Sequence, residues 1–234
     1  MSNTFFQFRQ FTVFQDLCAM KVGTDGVLLG AWADCENANH ILDVGTGTGL
    51  IALMLAQRSK ALITGIDLEE SAFRQAQHNV NLSPFAERIE IQHCDFLQFE
   101  AEKTFDLIVS NPPYFVNSLK APDNERSNAR HNDSLPLEKL LSQSISLLSP
   151  QGRIALVLPS DLLDTAEKTA NELQLYNTRK TFVKTTLQKT PKRVLLEYSR
   201  LQPTEQHEDI LCIELARHKY SDEFAALTKD FYLK

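Results

Sequence analysis

His40-Ile41-Leu42-Asp43-Val44-Gly45-Thr46-Gly47-Thr48-Gly49, followed by LIALMLAQRS at 50–59, is the stretch whose reading decides the fold. HILDV (40–44) is a short apolar run bounded by turn residues and reads as a buried strand. The glycines of GTGTG (45–49) mark a sharp turn, because glycine alone enters left-handed backbone without a Cβ clash. The next ten residues are an apolar helix. Outward from this unit the same alternation repeats: ALITGID (61–67) is a strand, EESAFRQAQHNVN (69–81) an amphipathic helix and RIEIQHCD (88–95) a third strand. TFDLIVS (104–110) is a fourth strand, LEKLLSQSISLL (137–148) a helix, RIALVLP (153–159) a strand and LLDTAEKTANELQ (162–174) a helix. Residues 115–133 are polar, contain Pro122 and read as a long loop. Short strands alternating with helices predict a parallel α/β sheet covered on both faces. Strand-like segments near 178–185, 193–200 and 210–216 have no clear helices between them, which predicts added antiparallel strands.

On the N-terminal side, FFQFRQFTVFQDLCAM (5–20) is aromatic-rich with partial alternation and predicts a short strand or hairpin over a pocket. Thr24 and Asp25 read as capping residues of a helix running through VLLGAWA. Residues 1–39 show no obvious core of their own, so the organisation expected is an appendage over 1–39 and a main domain over 40–234.

A length of 234 residues fits that organisation, and 43% hydrophobic with 23% charged residues is the composition of a folded, core-bearing chain. No apolar run approaches the ~20 residues of a membrane span, and the first residues lack the basic and apolar regions of a secretion signal. Cys18, Cys35, Cys94 and Cys212 are widely spaced and form no C-x-x-C unit, which argues against a disulfide framework or cysteine-ligated zinc and for a cytoplasmic location. His78, His93 and His131 lack metal-ligand spacing, so no metal is expected. Ser110 is outside any G-x-S-x-G unit, and Cys94 and Cys18 read as packing residues rather than nucleophiles.

The glycine loop is neither a Walker A loop nor a correctly spaced G-x-G-x-x-G fingerprint. It is preceded by Asp43, an acid that would repel a pyrophosphate and attract a cationic ligand such as an amino group or sulfonium. Asp67 closes the second strand about twenty residues after the glycines, where a carboxylate can accept ribose hydroxyls. Asp95-Phe96 closes the third, where a carboxylate and a ring can hold an adenine. Acids at three successive strand ends point to a nucleoside-containing cofactor beyond the carboxyl edge of the sheet.

Asn111-Pro112-Pro113-Tyr114 follows the fourth strand directly. Two prolines stiffen the turn by fixing φ. The Asn111 side-chain oxygen and the Pro112 carbonyl can accept the two hydrogens of a planar NH₂ group, and Tyr114 can stack on its plane. That arrangement aims the nitrogen lone pair at the cofactor.

Taken together, D-V-G-T-G-T-G (43–49), Asp67, Asp95-Phe96 and N-P-P-Y (111–114) resemble the S-adenosylmethionine-dependent amino methyltransferases. The resemblance implies a Rossmann-like class I fold with a mostly parallel seven-stranded sheet, and S-adenosylmethionine as cofactor. A narrower similarity begins earlier. FRQFTV (8–13), Gln15-Asp16, CAMKVGTDGVLLGAW (18–32) and Ala129-Arg130-His131 resemble the small bacterial tRNA1(Val) adenine N6-methyltransferases. It implies methylation of adenine N6 beside the anticodon of a valine tRNA, with Lys21, Thr24 and Asp25 bordering the cofactor pocket. The cofactor set is then Lys21, Thr24, Asp25, Asp43, Gly45, Gly47, Gly49, Asp67, Leu68, Asp95, Phe96 and Asn111. The catalytic set is Asn111, Pro112 and Tyr114, with Pro113 and Phe115 beside the substrate.

The net charge of −6 rules out a broad basic surface and asks that RNA be met by a patch. Residues 176–200 hold seven basic residues and one acidic. Arg179, Lys180, Lys184, Lys189, Lys192 and Arg193 fall within it, around a TLQKTPKR loop, and Arg126 and Arg130 follow the NPPY unit; these are the candidate phosphate contacts. Other NH₂ acceptors remain open from the motif alone: a release-factor glutamine, a ribosomal RNA adenine or a DNA adenine. A non-catalytic RNA-binding or cofactor-binding protein is the reading from a different class. A monomer or weak dimer, with no obligate protein partner, is expected.

Overall fold

A computed structural model describes residues 3–18, 20–113, 135–217 and 219–233. In chain order the elements are β1 Phe5–Gln7, β2 Thr12–Phe14, α1 Thr24–Trp32, β3 His40–Val44, α2 Leu50–Arg58, β4 Leu62–Asp67, α3 Glu70–Asn81, β5 Ile89–His93 and β6 Phe105–Ser110. There follow α4 Leu137–Leu147, β7 Leu148–Pro159, α5 Leu163–Glu172, β8 Tyr176–Thr186, β9 Arg193–Ser199, β10 His207–Ala216, β11 Lys219–Tyr220 and α6 Asp222–Thr228.

Among the described residues β3 to β11 form one nine-stranded sheet in the order β11-β10-β8-β9-β7-β6-β3-β4-β5. The seven strands from β8 to β5 are the expected class I core, and β10 and β11 extend it. Strands β5, β4, β3, β6 and β7 are parallel neighbours, whereas β9 is antiparallel to both β7 and β8. The expectation of antiparallel terminal strands is corrected for β10, which runs parallel to β8. The missing helix misled the reading: β9 itself carries the chain back, so the next strand can run in the original direction.

Both faces of the inner strands β3, β6, β7 and β9 are buried, and successive side chains of one strand serve opposite cores. In β6, Leu107 and Val109 join a cluster built with α1, α2 and α6, while Ile108 joins the cluster under α4 and α5. Helix α1 belongs to the first of these cores, with Val27, Leu28 and Leu29 packed beside Leu53, Met54 and Leu55 of α2. A Cβ at Gly30 would stand 2.8 Å from the Met54 sulfur, so glycine lets the two helices close on each other. The N-cap of α1 is Gly23, with no side-chain cap, rather than Thr24 or Asp25, which lie in the first helical turn. At its other end, Trp32 Nε1 donates to Thr181 Oγ1 at 2.9 Å and the Arg179 guanidinium lies 4.2 Å over the indole ring.

Strands β1 and β2 pair as the expected short hairpin, separate from the main sheet. Phe8 stacks on Phe11 and Tyr232, and Arg9 N donates to Phe231 O at 2.9 Å, which ties the hairpin to the chain after α6. No helix among the described residues is long and apolar enough to cross a membrane.

The shared core carries a prediction. Leu29→Ala will lower the unfolding free energy by about 2–5 kcal/mol in a single urea transition followed by circular dichroism. An early, separate loss of α1 with an unshifted main transition would show that α1 is not part of that core.

Candidate active site

The register of the sheet places the two sequence signals side by side. Val44 pairs with Ser110 at the carboxyl ends of β3 and β6. Ser110 Oγ donates to Val44 O at 2.8 Å and closes the junction. The next residues, Gly45 and Asn111, therefore leave from adjacent strands about 4.8 Å apart. Asn111 is half-buried, Pro112 buried and Pro113 exposed.

The glycine loop is held from below and from both sides. Gly45, Gly47 and Gly49 have φ of +71°, +58° and +80°, which L side chains rarely adopt. Gly45 N and Thr46 N both donate to Ile66 O at 2.9 Å. A Cβ at Gly45 would meet nothing within 4 Å, while one at Gly49 would reach Ala76 at 3.4 Å. The loop thus presents open backbone on one side and helix α3 on the other, a cradle that fits close approach of a cofactor.

Asp43 is fully buried beneath this loop. Its Oδ2 accepts from Thr46 Oγ1 at 2.7 Å and from Ala52 N at 3.2 Å, and Oδ1 has no hydrogen-bond partner. Burial pushes the carboxyl up to about 7, against the Thr46 and Ala52 hydrogen bonds, with the Asp67 charge adding to the rise. Asp43 is thus a brace inside the turn, with one oxygen suited to a cationic or donor group.

Asp67, at the end of β4, accepts from Gly47 N at 2.8 Å through Oδ2 and from Glu69 N at 3.0 Å through Oδ1. Leu68 beside it is exposed. Burial raises the Cys18 thiol, a Met20 backbone hydrogen bond opposes it, and the neighbouring Asp67 carboxylate raises it further. Asp95 accepts from Leu97 N at 2.9 Å and from Gln98 Nε2 at 3.2 Å, capping a short 3₁₀ turn. The expected role of the Phe96 ring is corrected: the ring is buried with Val44 and Ile66 in the core and presents no face to a ligand.

The basic cluster separates into two groups. Arg179 donates to Trp32 O at 3.1 Å and stacks on its indole, and Lys180 pairs with Glu167 and Glu208. Arg193 donates from Nε to Asp25 Oδ2 at 2.7 Å. These three hold α1, α5 and β10 to the sheet and are corrected as primary phosphate contacts. Lys189 and Lys192 are exposed on the β8–β9 turn, and Lys184 is half-exposed at the end of β8. That turn stands at the same carboxyl edge as Gly45 and Asn111. Lys21 and Thr24 are exposed just before and at the start of α1. Tyr114, Phe115, Arg126 and Arg130 lie outside the described residues.

The sequence reading missed Thr46, Ser110, Gln75 and Asn79, which hold the site together. Polar residues on the buried face of α3 were the available signal: Gln75 and Asn79 are four apart, one turn of helix, and both are buried.

A methyltransferase-domain family model matches residues 36–208. Among solved structures, a predicted O-methyltransferase from Agrobacterium tumefaciens superposes with a TM-score of 0.67 at 18% identity, covering 88% of this chain and 96% of that one. The glycopeptide N-methyltransferase MtfA, solved with S-adenosyl-L-methionine, gives 0.56 at 13% identity over 78% and 89%. At these identities the likeness concerns the fold, which is that of the class I S-adenosylmethionine-dependent methyltransferases. The curated relatives narrow it. A tRNA1(Val) (adenine(37)-N6)-methyltransferase of Bacteroides thetaiotaomicron is 52% identical over 100% of this chain and 99% of its own. Its namesake in Parabacteroides distasonis is 51% identical over 100% of both. The chain belongs to the tRNA1(Val) (adenine(37)-N6)-methyltransferase family.

Asp43 generates the prediction here. Its folded value of about 7 lies above the unfolded value of 3.8. Between these, the native state holds a proton that the unfolded chain releases, so its contribution to stability falls as pH rises from about 4 to 7. Asp43→Asn keeps an oxygen for Thr46 and Ala52 and removes the titration. Urea unfolding at pH 5 and pH 8 will show a stability loss smaller by about 1–3 kcal/mol in the variant; equal losses in both proteins would refute the assignment.

Proposed function

We propose that this protein transfers a methyl group from S-adenosylmethionine to N6 of an adenine in tRNA, the adenosine beside the anticodon of a valine tRNA. The observation that carries the reading is the Val44–Ser110 register, which sets Asn111-Pro112-Pro113 beside the glycine loop in a chain of this family. The cofactor, when bound, supplies an electrophilic methyl group on a sulfonium. The open backbone of Gly45 to Gly49, the Asp43 oxygen beneath it, Asp67, Leu68 and Asp95 are the residues suited to hold it. Lys21, Thr24 and Asp25 border that set, and the N-terminal segment before α1 serves as its cover.

Adenine N6 is a weak nucleophile because its lone pair is conjugated with the ring. The Asn111 side-chain oxygen and the Pro112 carbonyl accept its two hydrogens, which favours a more tetrahedral nitrogen and directs the lone pair. Tyr114 stacks on the base. The catalytic gain comes from orientation and from preorganised acceptors, not from a strong base. An anticodon-loop adenine is already poorly paired, so extruding it costs at most a few kcal/mol. Lys184, Lys189 and Lys192 meet the phosphates flanking it. A tRNA substrate and four free cysteines suit a cytoplasmic enzyme.

The direct test is transfer from labelled S-adenosylmethionine to tRNA from cells lacking the gene, with nucleoside analysis. Label will appear as N6-methyladenosine in a valine tRNA of that pool and not in wild-type tRNA. Label in a release factor instead would move Asn111 to glutamine chemistry. Asn111→Ala will lower turnover by about 10²–10³-fold and leave cofactor affinity within about threefold. A hundredfold loss of cofactor binding in that variant would overturn its role. The paired change Lys189→Glu and Lys192→Glu will raise KM for tRNA about tenfold and flatten its salt dependence, with kcat retained.

A further inference from the structure

Asn79, on α3, is fully buried and uses its side-chain oxygen and both N–H donors on two partners far apart in sequence. Its Oδ1 accepts from Phe14 N at 2.9 Å, and its Nδ2 donates to Phe14 O and to Thr48 O, each at 2.8 Å. To strand β2 it presents one donor and one acceptor, as a neighbouring strand would. To the glycine loop it fixes one end of the Thr48–Gly49 peptide, whose other end is fixed by Gly49 N donating to Thr46 O at 2.8 Å. Because the peptide is planar, holding both its carbonyl and its N–H fixes the orientation of the Thr48–Gly49 unit. One turn earlier on the same face, Gln75 Oε1 accepts from Leu17 N at 2.8 Å.

We infer that Asn79 and Gln75 are positioning residues for the cofactor: Asn79 locks the glycine loop to the N-terminal hairpin, and Gln75 holds the segment after that hairpin, at Leu17, to the same face of α3. The inference deepens the proposed function and rests on its cofactor reading. Neither residue touches the reacting atoms. Both act through backbone they hold, so their loss appears in cofactor affinity before it appears in chemistry. Gln15 completes the arrangement from the hairpin side, accepting from Val22 N at 2.8 Å and donating to Asn3 O at 2.9 Å.

The test uses the full chain and S-adenosylmethionine alone, by titration calorimetry, with hydrogen exchange as a second readout. Asn79→Asp keeps the acceptor for Phe14 N and turns both donors into oxygen facing two carbonyls. It will weaken cofactor binding at least tenfold and speed exchange at Gly49 and Leu17. At saturating cofactor and tRNA, kcat will stay within about threefold, so the loss falls on KM for the cofactor. Gln75→Leu will weaken binding about threefold and speed exchange at Leu17 but not at Gly49. If Asn79→Asp does not fold, Gln75→Leu decides by the same measurements. Unchanged cofactor affinity in the folded variants, whatever the loss of thermal stability, overturns the inference. A wild-type protein that fails to bind the cofactor overturns the underlying reading instead.

Discussion

A carboxylate buried without a countercharge sets the terms for this molecule. Asp43 is the penultimate residue of an interior strand, and its one partnered oxygen bonds both the start of the turn, at Thr46, and the first turn of the next helix, at Ala52 N. Strand, turn and helix are thereby one unit, and the three glycines can hold backbone angles that would relax in a free loop. Burying such a group is unfavourable, as its raised proton affinity records. The site is therefore built on a local instability that the surrounding core, buried on both faces of the sheet, offsets.

The second support is polar and comes from the side. Asp67 bonds Gly47 N, Asn79 bonds Thr48 O, and Ser110 bonds Val44 O. Each of the three lies on a different element, so the loop is defined by the packing of β4, α3 and β6 around β3 rather than by its own sequence. The glycines permit the conformation, and these neighbours choose it.

What could be read in the sequence follows from the range of the interactions. The runs from β3 to α5 were legible because periodicity and glycine punctuation are local: HILDV became a strand with the boundaries expected, and TFDLIVS became one that starts a residue later. The NPPY unit and the acids at the strand ends were legible as a constellation, since a parallel sheet brings its carboxyl ends to one edge. Some failures are local, as at the N-cap of α1, and others are long-range. Arg179 and Arg193 read as phosphate contacts, but their partners, Trp32 and Asp25, lie 147 and 168 residues away. Phe96 read as a ligand platform, yet the 3₁₀ turn capped by Asp95 rotates its ring inward. The direction of β10 could not be read because strand and helix serve equally well as the return path. Asn79 and Gln75 were hidden for a similar reason: on an amphipathic helix, a polar residue on the inner face looks like an imperfection of pattern until its partners are known.

The meeting of the hairpin with the chain beyond α6 bears on the order in which the molecule is made. Arg9 Nε donates to the carbonyl of Tyr232 across a separation of 223 residues. During synthesis the hairpin leaves the ribosome first, but one of its two docking faces is made more than two hundred residues later. Until then α3 and Phe85, on which Phe11 packs, are partners it can already meet. The strand that buttresses the glycine loop is thus translated before that loop and secured after it, so a nascent chain can pair β3 to β9 before the glycine loop is locked.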